Sequence, residues 1–239
     1  MAGFAWHQAP CGARLQLWPQ KAAFDAEQGL LLVADAHLGK AQSFRRLGVP
    51  VPSGTTAEAL ARLDALLAAT GAQEIVFLGD LLHSARALAP GTRAEVQAWR
   101  ERHAGLRLSL VRGNHDRHAG DPPAELGVTA VDGPLRRGPW ALCHEPVGPP
   151  QGRMPEGAAR RHPSEPQALD GAYVLAGHVH PGLALQGRGG DRLRLPCFHF
   201  APRCGLLPAF GGFTGLHLLP AGEGVQRYAV ADDRVLPLP

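Results

Sequence analysis

No stretch of this 239-residue chain approaches the roughly 20 apolar residues that a membrane span requires. Met1 to Arg14 contains no basic segment followed by an apolar one, so no secretion leader is expected either. The four cysteines, Cys11, Cys143, Cys197 and Cys204, form no Cys-x-x-Cys pair. That argues against a zinc knuckle or a redox motif and fits reduced thiols in a cytoplasmic protein. Lysine is almost absent: Lys21 and Lys40 are the whole complement, and the remaining base is arginine. Arginine suits bidentate phosphate contacts, although a GC-rich genome would give the same bias. Aromatics make up 6% of the chain and form no ladder on which bases could stack. Internal repeats, low-complexity tracts and composition breaks are also missing, so residues 1–239 read as one domain.

What is present is 45% hydrophobic and 19% charged, with a net charge of +3 and a pI near 8.9. That describes a globular chain with a sizeable core and a mild basic excess compatible with an anionic substrate. Strands are expected at Gly29–Ala34, Glu74–Leu78, Arg107–Val111, Thr129–Val131, Trp140–Cys143 and Tyr173–Ala176, and in four short stretches between Leu183 and Val230. Leu38–Leu47 reads as a loop entering a helix. A second helix is expected to start at a Ser53 or Thr55 cap, carry Glu58 in its first turn, present Leu60, Leu63, Leu66 and Leu67 on one face, and stop at Gly71. Arg93–His103 is a third, with Val96 and Trp99 together, and 148–166 reads as a Gly/Pro/Arg-rich loop. An α/β first half followed by a β-rich second half implies two facing mixed sheets with helices outside.

Five motifs each follow an expected strand: Asp35-Ala36-His37, Gly79-Asp80, Gly113-Asn114-His115-Asp116, His144-Glu145-Pro146 and Gly177-His178-Val179-His180. Open α/β sheets place their sites at such strand ends. Any one motif alone is ordinarily structural or incidental; all five in this order are the ligand inventory of a two-metal phosphoesterase site. Two residues apart at a strand end, Asp35 and His37 fall on one side and can grip one ion, and His178 and His180 repeat the spacing with two imidazoles. Asn114 offers a neutral amide oxygen, and His144 ends its strand. Two divalent ions about 3.5–4 Å apart need a bridging carboxylate, for which Asp80 is the candidate, and together they can activate water at neutral pH for in-line attack on phosphorus. The mixed nitrogen and oxygen donors suit Mn, Fe, Co or Zn better than Mg or Ca. His115 has no metal role and is the candidate to assist the leaving group, with Asp116 placed to orient it or keep it protonated. His83 and His118 follow two of the motifs and are candidate substrate contacts, whereas His7, His103, His162 and His217 read as packing or surface residues.

These residues resemble the binuclear metallophosphoesterases, the calcineurin-like superfamily, over Leu31 to Pro181. A narrower resemblance joins the motif stretches to RRLGVPVPSG (45–54), LPCFHF (195–200) and LPAFGGFTG (207–215). It points to the bacterial ligase-associated DNA damage response endonucleases. The resemblance implies a manganese-dependent phosphodiesterase that cuts DNA, single-stranded DNA above all, and works alongside an ATP-dependent DNA ligase, a helicase and an exonuclease. It assigns Asp35, His37, Asp80 and His180 to one ion, Asp80, Asn114, His144 and His178 to the other, and the leaving group to His115. Ala36 departs from the pattern, which usually has a bulkier aliphatic there.

Lys40, Arg45 and Arg46 follow the first motif and are candidates to hold DNA phosphates, with Arg136, Arg137, Arg160 and Arg161 behind them. The scarcity of aromatics favours backbone binding over base readout. Phe198, Phe200, Phe210 and Phe213 read as core, with a loop-borne Phe213 also able to stack. The metal motifs alone do not separate a DNA endonuclease from a small-molecule phosphohydrolase, whereas intact Asp80, Asn114, His115 and His178 speak against a non-catalytic scaffold on the same fold.

Overall fold

The computed structural model describes residues 3–46, 48–49, 51, 54–84, 89–146, 171–187 and 189–238. Ser53, Arg160, Arg161, His162, the side chain of Arg46 and the expected loop at 148–166 lie outside what is described.

Among the described residues the strands form two mixed sheets. The first runs in chain order: β1 (Ala5–Gln8), β2 (Arg14–Trp18), β3 (Ala22–Asp25), β4 (Leu30–Ala34), β5 (Glu74–Leu78), β6 (Arg107–Val111) and β7 (Val128–Val131). Strands β1 to β4 are antiparallel and β4 to β7 parallel. Helices α1 (Lys40–Arg46), α2 (Thr55–Thr70), α3 (Pro90–Arg102) and α4 (Asn114–Ala119) interrupt the parallel half. The second sheet holds β8 (Leu135–Arg137), β9 (Trp140–Leu142), β10 (Tyr173–Ala176), β11 (Pro181–Gln186), β12 (Arg192–Phe200), β13 (Cys204–Leu206), β14 (His217–Leu218), β15 (Gln226–Ala231) and β16 (Arg234–Leu238). In this sheet β10 lies parallel between β9 and β13.

The alternation of side chains along a strand explains the layers. On β4, Leu30, Leu32 and Ala34 point into a core shared with Leu142, Leu175, Phe198 and Phe200 of the second sheet. Leu31 and Val33 point the other way, onto Leu60, Leu63 and Leu66 of α2 and Val96 and Trp99 of α3. Buried on both faces, β4 and β5 read as continuous apolar runs. Among the described residues no helix is long and apolar enough to cross a membrane.

The expected elements reappear within a few residues; α4, β13 and β16 are additional elements that were not expected, and three further differences stand out. Strands β1 to β3 occupy a stretch for which no element was expected. They are four or five residues each, too short for a periodicity signal, and they hold together by pairing. Helix α2 begins after Gly54, which sits in left-handed conformation (φ 89°), so Thr55 is the first helical residue and not a cap. Arg136 and Arg137 lie on strand β8, not in a loop.

Among the polar contacts between the sheets, one lies within the shared apolar core. The fully buried Trp140 on β9 donates its indole N–H to Asp25 Oδ2 on β3 at 2.7 Å. Gln28 Nε2 donates to the same oxygen, and the backbone N–H groups of Glu27 and Gln28 bond to Asp25 Oδ1. Trp140→Phe keeps most of the buried ring and deletes a donor to a carboxylate, a bond worth about 1.5–3 kcal/mol. Urea unfolding is expected to show a loss of that order, and an unchanged midpoint would mean that the contact does not tie the sheets together.

Candidate metal centre

All five motifs leave the C-terminal ends of parallel strands. Asp35 and His37 follow β4, Asp80 follows β5, Asn114 opens α4 after β6, His144 comes two residues after β9, and His178 and His180 follow β10. The spacing argument for Asp35/His37 and His178/His180 needs correction. These residues have left the strand: φ is 50° at Asp35, 46° at His37, 67° at His178 and 51° at His180, and Asp80 is also left-handed at 50°. Each such non-glycine residue costs on the order of 1–3 kcal/mol and persists only where its surroundings hold it.

The side chains converge as two groups, Asp35 with His37 and His180, and Asp80 with His144 and His178. In each group the ligand atoms lie within 4.8 Å of one another. The two imidazoles of His-x-His therefore serve different groups instead of sharing one ion. Asp80 lies between the groups, with Oδ2 4.0 Å from His37 Nε2 and Oδ1 3.6 Å from His144 Nε2.

Three observations test whether these residues fit cations. Asp35 Oδ1 is fully buried with no hydrogen-bond partner among the described residues, while Oδ2 accepts the His178 N–H at 2.8 Å. His144 Nδ1 lies 3.0 Å from the Leu78 carbonyl, which can only accept, so Nδ1 carries the proton and Nε2 keeps its lone pair. That Nε2 faces the acceptor oxygen Asn114 Oδ1 at 3.0 Å, two lone pairs that a cation between them would stabilise, and His178 Nδ1 also lies 3.0 Å away. Burial, then the Lys40 ammonium and the rings of His180, His115 and His83, push His37 down to about 2, leaving a neutral imidazole ready to ligate. Burial likewise lowers His178. Burial raises Asp80, with His144 opposing and Asp35 adding to the rise, a state that bound dications would reverse. The residues fit a pair of divalent cations.

Asp116 does not orient His115. Its buried carboxylate accepts the backbone N–H groups of Asp80 (2.7 Å), Gly113 (2.9 Å), Leu81 (3.0 Å) and Leu82 (3.3 Å). It ties the Gly79-Asp80 loop to the Gly113-Asn114 loop, a role no local sequence signal carries. His115 is half-exposed, with Nε2 3.9 Å from Asp80 Oδ2 and its ring stacked 5.2 Å from His83. His83 also meets His37 edge-on at 5.6 Å, which brings it to the centre. His118 is exposed and bonds back to the Asn114 carbonyl at 2.6 Å. Lys40 opens α1 within attraction of Asp35 and Asp80, and Arg45 is exposed on the same helix. Arg137 pairs with Glu74 at 2.9 Å, at the opposite end of β5 from Asp80, so it and Arg136 are away from the centre.

Paired Asp/His groups at the facing strand ends of a two-sheet sandwich define a binuclear phosphoesterase. The crystal structure of nuclease MPE from Pseudomonas putida is similar over 99% of this chain and 100% of its own, with 41% identity and a TM-score of 0.78. YfcE, a phosphoesterase from E. coli, shares 18% identity over 86% of this chain and 95% of its own at a TM-score of 0.38. A conserved phosphoesterase-like protein of Streptococcus pneumoniae shares 16% over 83% and 80% at 0.29. Models of protein families produce no match, and neither does a search of curated proteins. The chain belongs to the binuclear metallophosphoesterases. It is a metal-dependent phosphoesterase.

The cradle leaves no room for side chains at two glycines. A Cβ on Gly79 (φ 77°) would lie 2.1 Å from His144 Nδ1, and one on Gly113 would lie 2.2 Å from Asp80 Oδ1 and 2.9 Å from His144 Nε2. Gly113 has an extended backbone (φ −92°) that alanine tolerates, so Gly113→Ala acts by sterics alone. The variant is expected to fold and to hold clearly fewer than two metal ions per chain by elemental analysis. Full occupancy would show that the two loops can move apart.

Proposed function

We propose that this phosphoesterase is a manganese-dependent endonuclease that cuts DNA, chiefly single strands, in cytoplasmic repair. The observation that carries the reading is the likeness to a nuclease along the entire chain at 41% identity. The mixed donor set suits manganese, with Fe, Co and Zn as alternatives. Asp35, His37, His180 and Asp80 would hold one ion, and Asp80, Asn114, His144 and His178 would hold the other. Bound there, the pair supplies Lewis-acid charge on the phosphoryl oxygens and lowers the pKa of water. The chain's own residues do the rest. Asp80 offsets the charge of both ions, and the His115 N–H bond to Asp80 Oδ1 at 2.9 Å keeps that carboxylate aimed. His115, half-exposed at the mouth of the centre, passes a proton to the departing alkoxide oxygen. His83 holds its ring by stacking. Lys40 and the exposed Arg45, followed by Arg46, take the flanking phosphates. Residues 1–239 act as one unit, in a setting that also contains an ATP-dependent DNA ligase, a helicase and an exonuclease.

Circular single-stranded DNA is the direct test, since a circle has no end for an exonuclease. Incubation with Mn is expected to yield linear products, with Mg and Zn as comparisons. Intact circles alongside hydrolysis of a p-nitrophenyl phosphodiester would favour the small-molecule alternative.

His115→Ala separates the leaving-group role from metal binding. The variant is expected to retain its metals and lose roughly 10²–10⁴-fold on DNA. The loss on a p-nitrophenyl ester is expected to be far smaller, because nitrophenolate departs without a proton. Equal losses on both substrates would assign His115 a structural or phosphate-binding role instead.

A further inference from the structure

The loop after β13 carries two phenylalanines with opposite fates. Phe210 is fully buried, its carbonyl accepts from Arg62 Nη2 at 2.8 Å, and the Arg62 guanidinium lies 4.2 Å over its ring. Phe213, three residues on, is 49% exposed, so of the two readings of this residue the loop-borne one holds and the core one does not. Its backbone is left-handed (φ 54°). Apart from the metal-centre residues, few side chains in the described structure accept that conformation.

The loop is also tied to the metal centre. Ala209 bridges Ala34, Phe210 N–H bonds to the Ala34 carbonyl at 2.8 Å, and Gly211 N–H bonds to the carbonyl of Asp35 at 3.0 Å. The Thr214 hydroxyl turns back to the Gly211 carbonyl. Beyond this anchor Phe213 borders a small pocket of about 10 Å³, room for one water and not for a base, whose other walls include His37, Gly39, Lys40 and Thr56, so a base can meet the ring only on its exposed side. An exposed apolar ring, held in a constrained backbone, is therefore a neighbour of a candidate metal ligand and a lysine.

We infer that Phe213 is a stacking platform for one nucleobase of the substrate strand beside the metal centre, with Lys40 serving the adjoining phosphate. This rests on the nuclease reading above. A DNA strand presents planar faces and phosphates in alternation, which matches a flat ring next to an ammonium. Phenylalanine offers no hydrogen bond, so the contact accepts any base and sets position without reading sequence.

Cleavage of single-stranded oligonucleotides tests the inference, using strands with one abasic site moved stepwise past the scissile phosphate. In the wild-type protein one position is expected to raise KM by roughly 5- to 100-fold, the range for a lost base–aromatic stack. Phe213→Gly removes the ring and suits a φ of 54°, so the backbone is not disturbed. In that variant the intact strand is expected to show the raised KM, and the abasic penalty at that position is expected to vanish. Phe213→Trp should restore both the low KM and the penalty, and Phe213→Leu should restore neither. An abasic penalty of the same size in wild type and Phe213→Gly overturns the platform while leaving the nuclease reading intact. Failure of the wild-type protein to cut any DNA strand overturns both.

Discussion

Asp35 and Asp80 bury two carboxylates in one cleft, and much of the surrounding structure compensates for that burial. Ionised carboxylates shielded from water and close to each other are unfavourable unless hydrogen bonds or cations balance them. The backbone supplies part of the balance: the His178 N–H serves Asp35, and the His115 N–H serves Asp80. Lys40 adds a positive charge at the rim. The remainder is left to metal ions, as the unpartnered Asp35 Oδ1 indicates. Bound ions therefore contribute to the stability of the fold as well as to its chemistry.

Holding donors so close together constrains the main chain. The carboxylate of Asp116 binds four backbone N–H groups from two loops, which explains how the turn after β5 and the turn after β6 stay in register. Five of the candidate ligands adopt a left-handed backbone, because continuing as a strand would carry their side chains past the point of convergence. Such strain is tolerable at the ends of strands buried on both faces, where the sheet core holds the chain on one side of each turn.

Much of this was legible from short-range pattern. The apolar runs of β4 and β5, the leucine face of α2 and the Gly71 stop stand where periodicity and capping place them. The convergence of Asp35, His37, Asp80, His144, His178 and His180 was foreshadowed by short motifs that each follow a strand. Readings that depended on where a side chain turns after the strand fared worse. Asp116 faces backbone instead of His115, and Arg137 pairs with Glu74 at the far end of the sheet, whereas His178 and His180 separate into two groups as the family resemblance, though not the spacing alone, implied. Strands β1 to β3 escaped notice because four or five residues carry too little periodicity, and pairing with β4 supplies what the local signal lacks.

The sequence by itself determined which donor atoms are available and that they sit at strand ends, since atom types are covalent and strand runs are local. Only the tertiary structure decided how those donors divide. The contact between Asp35 and the His178 N–H spans 143 residues and exists only because the two sheets face each other. The same holds for Trp140 and Asp25, 115 residues apart. Phe210 and Phe213 illustrate the difference at close range. They are the same residue type three positions apart, yet one is buried and the other exposed, because a left-handed turn anchored on β4 sends their rings in different directions. Gly211-Gly212 marks a turn locally, but its direction is imposed by hydrogen bonds to a segment far away in the chain.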